Sequence, residues 1–368
     1  MKVNEIQSQT IDFVRFPSIV GVVLIHSSIV SMNFGTLEVN ASNFPISYYL
    51  SVFFSDILAS IAVPAFFFIS GFLFFYNVDT FSWNVYKEKL QKRFVSLFVP
   101  YLLWNILIIV LYFVAQMQFP ELISGNKKTF DEYCWYDWLL ILWDTNLVDD
   151  TAFKSVPFNY PLWFLRDLMV IVCLSPLVYY IVKKLRMLLV LMLIGYWLSS
   201  WDFSITGLDK SCVTFFCLGA YFSIHKKDFL ITFCTIGKFC AVAYLSVVVF
   251  ELFMLQELDS WLFHMLHKMG ILFGMITLFA VSSYCLSKGF CRVSGQLVKS
   301  SFFVYAYHAY PLIFLKRFVL HYCPPSADWM LCLYYLFCPI VVIAVGYLMY
   351  SMLNNKFPGF TRVLMGWR

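Results

Sequence analysis

Hydrophobic positions in this chain come in long blocks, separated by shorter polar and charged segments. A helix needs about 20 predominantly apolar residues to cross the hydrocarbon of a bilayer. Ten blocks read as such spans, at approximately Phe13–Ser31, Ser51–Tyr76, Phe94–Met117, Pro161–Val182, Met187–Ser200, Cys212–Ile224, Phe229–Phe253, Trp261–Leu286, Phe302–His321 and Trp329–Leu353. The fifth and sixth are short. The pattern predicts an all-α polytopic membrane protein of about ten transmembrane helices, forming one integral-membrane domain over residues 1–368. The first block does not read as a cleavable signal peptide, because Arg15 and His26 lie inside it and no small-x-small cleavage site follows.

Composition excludes the soluble alternative. Of the 368 residues, 61% are hydrophobic, 20% aromatic and only 13% charged, against roughly 25% charged in a soluble domain. Mean hydropathy is +0.77. A water-soluble chain of this length has too few buried positions to hide that much apolar surface. No Ser/Gly, Gln/Asn or Pro tract suggests disorder. Most of the eleven cysteines fall inside apolar runs, where they act as small hydrophobes. No CxxC or Cys/His spacing suits a metal, and none is assigned. Cys134 and Cys323 fall in segments expected outside, where a pairing stays open.

The net charge of +5 matters less than its placement. With the N-terminus inside, the inner segments carry sixteen Lys and Arg and the outer segments six. Cations are retained on the cytoplasmic side, so both termini are expected in the cytoplasm of a multi-pass plasma-membrane protein. One outer connection, residues 118–160, is long and holds Glu121, Asp131, Glu132, Asp137, Asp144, Asp149 and Asp150. Within it Trp135, Trp138, Leu139, Leu140, Leu142 and Trp143 read as a short interfacial helix, either an anchor or a lid over an outer cavity.

Ionisable side chains inside spans are costly and become functional candidates. They include Asp12, Arg15, His26, Asp56, Arg166, Asp167, Lys238, His264, His267, Lys268 and His308. Arg15 and His26 are eleven residues apart. On an α-helix that is about 16 Å of rise and within about 20° of three full turns, so both lie on one face. Arg15 reads either as part of a site or as an interfacial arginine paired with Asp12 at i−3. His26 reads either as a general base or as a histidine bonded to a neighbouring helix.

The spacing Arg15, ten residues, His26 resembles the signature of transmembrane acyltransferase family three, O-acyltransferases that modify surface glycans and related molecules. Further similarities follow in the family's order. Val63-Pro-Ala-Phe-Phe-Phe-Ile-Ser70-Gly71-Phe72 resembles its second-span motif, and Lys92-Arg93-Phe-Val-Ser-Leu-Phe-Val-Pro100-Tyr101 the basic start of its third span. Pro161-Leu-Trp163-Phe-Leu and Tyr305-Ala-Tyr-His308 are similar to its Pro-Leu-Trp-Phe-Leu and late Tyr-x-x-His segments. The resemblance covers nearly the whole chain. One departure is that Ser96 stands where the family has a second arginine; Lys92 or Lys89 is a candidate to supply that charge.

The resemblance implies a membrane O-acyltransferase that moves an acyl group, most simply acetyl, from cytosolic acyl-CoA to an acceptor hydroxyl at the outer side. His26 is then the expected catalytic residue, as general base or as transient acyl carrier. Arg15, Lys89, Lys92 and Arg93 would clamp the donor phosphates, although Lys89, Lys92 and Arg93 also fit ordinary inner-side charge. Ser70, Trp163, Arg166, Tyr305 and His308 are the expected acceptor-side residues. Each has a structural alternative: close packing at Ser70-Gly71, an interfacial-belt tryptophan at Trp163, a pair with Asp167 at Arg166, and cross-helix bonding at His308. Two other functions stay open. One is a secondary transporter or glycan exporter using His26, Arg166 and His308 in a proton or substrate pathway. The other is a membrane-bound acyltransferase of the unrelated intramembrane-histidine family.

Overall fold

The computed structural model describes residues 3–28, 39–118, 130–148, 155–201, 205–254 and 260–367. Several residues used above lie outside them: Glu121, Asp149 and Asp150 of the long connection, and Lys2, Lys127, Lys128, Lys154 and Arg368 among the counted cations. The described residues are helical, with turns and an isolated Ile205–Leu208 bridge but no strand. An apolar environment dictates this outcome, since a helix satisfies its own backbone groups where water cannot.

Six helices are long and apolar enough to cross a membrane. They are α1 (Val3–Ser27), α2 (Pro45–Phe75), α3 (Trp83–Gln118), α8 (Phe229–Phe253), α9 (Trp261–Ser287) and α12 (Asp328–Lys356). Between α3 and α8 lie α4 (Trp163–Cys173), α5 (Ser175–Leu185), α6 (Met187–Leu198) and α7 (Lys210–Ile224). After α9 come α10 (Gly295–Tyr307) and α11 (Ala309–Tyr322), and the chain closes with the short α13 (Pro358–Leu364).

Two of the expected spans are broken. The fourth bends by 69° between α4 and α5, where Pro176 occupies the start of α5 and cannot donate to the preceding turn. The ninth breaks at His308, between α10 and α11. Two others are short: α6 has 12 residues and α7 has 15. At 1.5 Å per residue they rise about 18 and 22 Å, less than the roughly 30 Å hydrocarbon core. The ten expected spans therefore correspond to six full-length helices, a bent pair, a broken pair and two short helices. Within α2, residues Val52–Leu58 wind as a π-helix, and within α3 so do Phe94–Phe98.

The chain packs as two compact units. The first comprises Met1–Ile25, Phe53–Leu90 and Val170–Ser301; the second comprises His26–Val52, Gln91–Met169 and Phe302–Arg368. In the first, the second half of α2 lies against α7 at backbone contact. A Cβ added at Gly71 would sit 2.0 Å from the Phe216 carbonyl oxygen, and one at Gly219 would sit 2.1 Å from that of Phe68. Small residues let apolar helices approach this closely. The Phe68, Phe229, Phe233 and Phe279 rings fill the space beside the contact. In the second, α13 folds back on α3, where Trp104 donates to the Leu364 carbonyl at 3.1 Å. The start of α12 holds the start of α2, with Asp328 accepting from the Ile46 and Ser47 amides.

The Trp-rich segment of the long connection forms one helical turn, Asp137–Leu140, rather than a longer helix. Asp137 and Ile141 are buried while Trp135 and Leu139 are exposed. Cys134 and Cys323 are both free thiols.

The α2–α7 contact generates a direct test. Gly71→Ala or Gly219→Ala must push two backbones apart, at a cost of roughly 2 kcal/mol or more. A clear fall in the thermal denaturation midpoint of the detergent-solubilised protein is expected for each. An unchanged midpoint in both variants would show that this contact does not hold the first unit together.

Candidate active site

Within the second unit, His26 sits in the last turn of α1 and turns a half-buried imidazole toward other protein rings. Its ring lies edge-on to Tyr160 at 4.8 Å and tilted against that of His308 at 5.3 Å, centroid to centroid. The histidine of the first span and the one that breaks the ninth thus form a neighbouring pair of imidazoles.

His308 is fully buried. Its Nδ1 lies 2.6 Å from the Tyr305 carbonyl oxygen. A carbonyl only accepts, so Nδ1 carries the proton of the neutral ring, and Nε2 presents a lone pair. Among the described residues that Nε2 has no hydrogen-bond partner. A buried polar atom of this kind is uncommon in a folded protein and calls for an explanation, of which an absent ligand is one.

The segment leading into α4 is pinned by polar groups from both sides. Asn105 of α3 accepts from the Asn159 amide at 2.9 Å, and Asn159 donates from Nδ2 to the Ala306 carbonyl at 3.0 Å. Tyr305 donates its hydroxyl to the Pro161 carbonyl, and Tyr310 donates to that of Phe158 at 2.7 Å. The Phe158 and Tyr310 rings stack at 5.5 Å and 6°. These bonds set the backbone on either side of Tyr160 against the break at His308. They also give Tyr305 a clear structural task.

Arg166 is buried at 3% exposure and its guanidinium is fully engaged. Nε and Nη2 donate to Asp167 Oδ1 at 3.1 Å, Nη1 donates to the Trp143 carbonyl at 2.9 Å and to Ser155 Oγ, and Nη2 donates to the Ser155 carbonyl. The planar fork thereby ties α4 to both arms of the long connection. Trp163, one turn earlier, is half-buried.

The remaining expected residues fall elsewhere. Arg15 pairs with Asp12 at 3.0 Å, the i−3 partner anticipated from the sequence. Lys89 donates to the Phe74 carbonyl at 2.6 Å and lies over the Phe74 ring. Lys92 and Arg93 close the first stretch of α3, immediately before its π-helical turn. Ser70 is half-buried on α2, in the first unit, beside the glycine whose close packing is described above. A cavity of about 400 Å³ in the first unit is lined by Gln7, Tyr76, Asp79, Phe222, Lys226 and Asp228 among others, and by none of Arg15, Lys89, Lys92 or Arg93. At its rim an exposed Lys226 bonds to Asp79 and holds that carboxyl below its usual range by hydrogen bond and charge.

Two residues at the imidazole pair had escaped the sequence reading. Tyr160 lies just ahead of the Pro-Leu-Trp segment and carries no charge to mark it. Lys316 was counted among the outer cations, yet it falls inside the ninth apolar block, Phe302–His321. In the structure it is 5% exposed, and its Nζ donates to the carbonyls of Ser27 at 2.9 Å, Ser28 at 3.2 Å and His26 at 3.5 Å. The criterion applied to Arg166 and His308, an ionisable group within an apolar block, would have found it.

An integral membrane protein with an inward-facing imidazole pair admits either an enzyme or a transporter. Comparison with known families decides between them. The acyltransferase 3 family model, described as an acyltransferase domain, matches residues 9–351. The chain belongs to that family and is an acyltransferase. It is also similar to the succinoglycan biosynthesis protein ExoH of Rhizobium meliloti (strain 1021), with 26% identity over an alignment covering 98% of this chain and 92% of that protein. No solved structure matches it significantly.

The Arg166 network carries its own test. Arg166→Lys retains the charge but loses the planar fork, leaving buried acceptors short of donors. Stability is expected to fall by about 3 kcal/mol, read as a lowered thermal midpoint in detergent. A midpoint equal to that of the unsubstituted protein would contradict the structural task assigned to Arg166.

Proposed function

We propose that this acyltransferase is an O-acyltransferase that takes an acyl group, most simply acetyl, from cytosolic acyl-CoA and delivers it to a hydroxyl of a glycan on the outer side of the plasma membrane. The single observation that carries the reading is the His26–His308 pair at 5.3 Å, with a buried, unpartnered nitrogen on the second ring. The family match supports acyl transfer, and the similarity to a succinoglycan biosynthesis protein supports a polysaccharide acceptor.

The chemistry balances with one base. An imidazole nitrogen of His26 takes the proton of the acceptor hydroxyl as its oxygen attacks the thioester carbonyl. The carbon–sulfur bond then breaks, and the imidazolium returns the proton to the departing thiolate. The products are the O-acyl ester and free coenzyme A. Such base catalysis contributes typically 10²–10⁴-fold. The direct path needs no acyl-enzyme, so His26 acts as base rather than carrier. His308, with Nδ1 held by a carbonyl, offers its lone pair to a hydroxyl that enters beside His26.

Donor and acceptor approach from opposite sides in this reading. Ten spans with both termini cytoplasmic, counting the bent and broken pairs as one span each and both short helices as spans, agree with the distribution of Lys and Arg. Arg15, Lys89, Lys92 and Arg93 then lie toward the inner side and attract the donor phosphates. Trp163 and Ser70 are the remaining acceptor-contact candidates.

His26→Ala tests this function. Thiol release from acetyl-CoA in membranes carrying the protein, and the O-acetyl content of surface glycan from cells expressing it, are both expected to drop roughly 10³-fold. The folded yield and thermal midpoint are expected to stay near those of the unsubstituted protein. Retention of near-normal transfer by a folded His26→Ala variant ends the reading.

A further inference from the structure

The end of α1 presents a problem that lipid does not solve. The last four carbonyls of a helix have no intrahelical donor, and in an apolar surrounding each needs one from elsewhere. The Leu24 carbonyl accepts from Ser55 Oγ at 2.6 Å. Those of His26, Ser27 and Ser28 take their donor from one ammonium, Lys316 Nζ, reaching across from α11. The same terminus is held by Ser27 Oγ, which donates to the Tyr335 carbonyl at 3.1 Å, and by the Ser28–Ser51 hydroxyl pair at 3.2 Å. Neutral hydroxyls thus suffice for part of the work. A lysine at 5% exposure is an expensive way to do the rest, because desolvating a cation costs far more than burying a hydroxyl.

What a lysine adds over a neutral donor is charge. Its hydrogen bonds go to uncharged carbonyls, and among the described residues no carboxylate lies within ion-pair distance of Nζ. In its protonated form Lys316 therefore has no carboxylate counter-charge at the turn that carries His26. It also complements the negative end of the α1 dipole. Acyl transfer from a thioester develops negative charge first on the carbonyl oxygen and then on the departing sulfur. A fixed cation in a dry surrounding is the kind of group that stabilises such charge without reorganising.

We propose that Lys316 is an electrostatic positioning residue for acyl transfer: its ammonium locks the last turn of α1, and so His26, while its charge favours the oxyanion and thiolate that develop on the donor. This rests on the assignment of His26 as the base. Lys316 acts through the helix end and the local field, and needs no contact with donor or acceptor.

Three substitutions separate the parts. Lys316→Gln keeps a hydrogen-bond donor and removes the charge, Lys316→Arg keeps both, and Lys356→Met removes an exposed cation at the far end of α12 as a control. Each is purified with its thermal midpoint recorded, and kcat and KM for acetyl-CoA are measured by thiol release. Lys316→Gln is expected to lose at least 10-fold in kcat, with KM within threefold. Lys316→Arg is expected to recover kcat to within fivefold of the unsubstituted enzyme, and Lys356→Met to leave both constants unchanged. A folded Lys316→Gln enzyme with near-normal kcat overturns the electrostatic role, as does an Arg variant no better than Gln at equal stability. If Gln does not fold, Lys316→Arg decides alone: a folded Arg enzyme more than 10-fold slow in kcat rejects the proposal, and one within fivefold supports it. Failure of the unsubstituted protein, or undiminished transfer by His26→Ala, would instead count against the parent reading.

Discussion

A helix that ends among apolar side chains must find donors for its last carbonyls, and in this protein the helix that does so ends on His26. Everything else at the site is arranged around that constraint. α11 sends a lysine to the terminus, α12 accepts a serine hydroxyl from it, and the start of α2 meets the following residue. The imidazole is fixed because the backbone carrying it is fixed. Opposite, the break between α10 and α11 brings His308 to the same place, and a carbonyl selects the tautomer that leaves its other nitrogen available. The end of α1 and the break at His308 thus set two imidazoles side by side inside a largely apolar unit.

The long connection between α3 and α4 serves this chamber as scaffold. Arg166 gathers both arms of the connection onto α4, and the Asn105–Asn159–Ala306 chain aligns the strand of backbone bearing Tyr160 with the His308 break. These polar groups are almost all satisfied by one another. Within and beside that network, Asn159 Oδ1 and His308 Nε2 are buried without a hydrogen-bond partner among the described residues.

Much of this was legible from the chain alone. Blocks of apolar residues located α8, α9 and α12 to within three residues at each end, whereas α1, α2 and α3 begin ten, six and eleven residues ahead of their blocks, where polar residues extend the helix. The spacing of Arg15 and His26 marked the helix that matters, and the Asp12 partner of Arg15 followed from helical periodicity. Pro176 marks the bend after α4, and Pro311, whose missing N–H leaves the Tyr307 carbonyl without its helical donor, marks the break at His308. Lys316 was missed because charge counting assigned it to an outer segment, although it lies in an apolar block. Arg166 was seen, but three of its five donated bonds go to Trp143 and Ser155 of the long connection, 23 and 11 residues away, which no local pattern encodes.

Family membership supplies acyl transfer, and the structure sets the His26 and His308 imidazoles side by side. The most direct test is a structure of the protein bound to a non-transferable acetyl-CoA analogue. The account places the acyl carbon no more than about 6 Å from the His26 ring, close enough for one hydroxyl to bridge base and carbonyl. An acyl carbon seated away from both imidazoles, with the thioester unable to reach them, would contradict it.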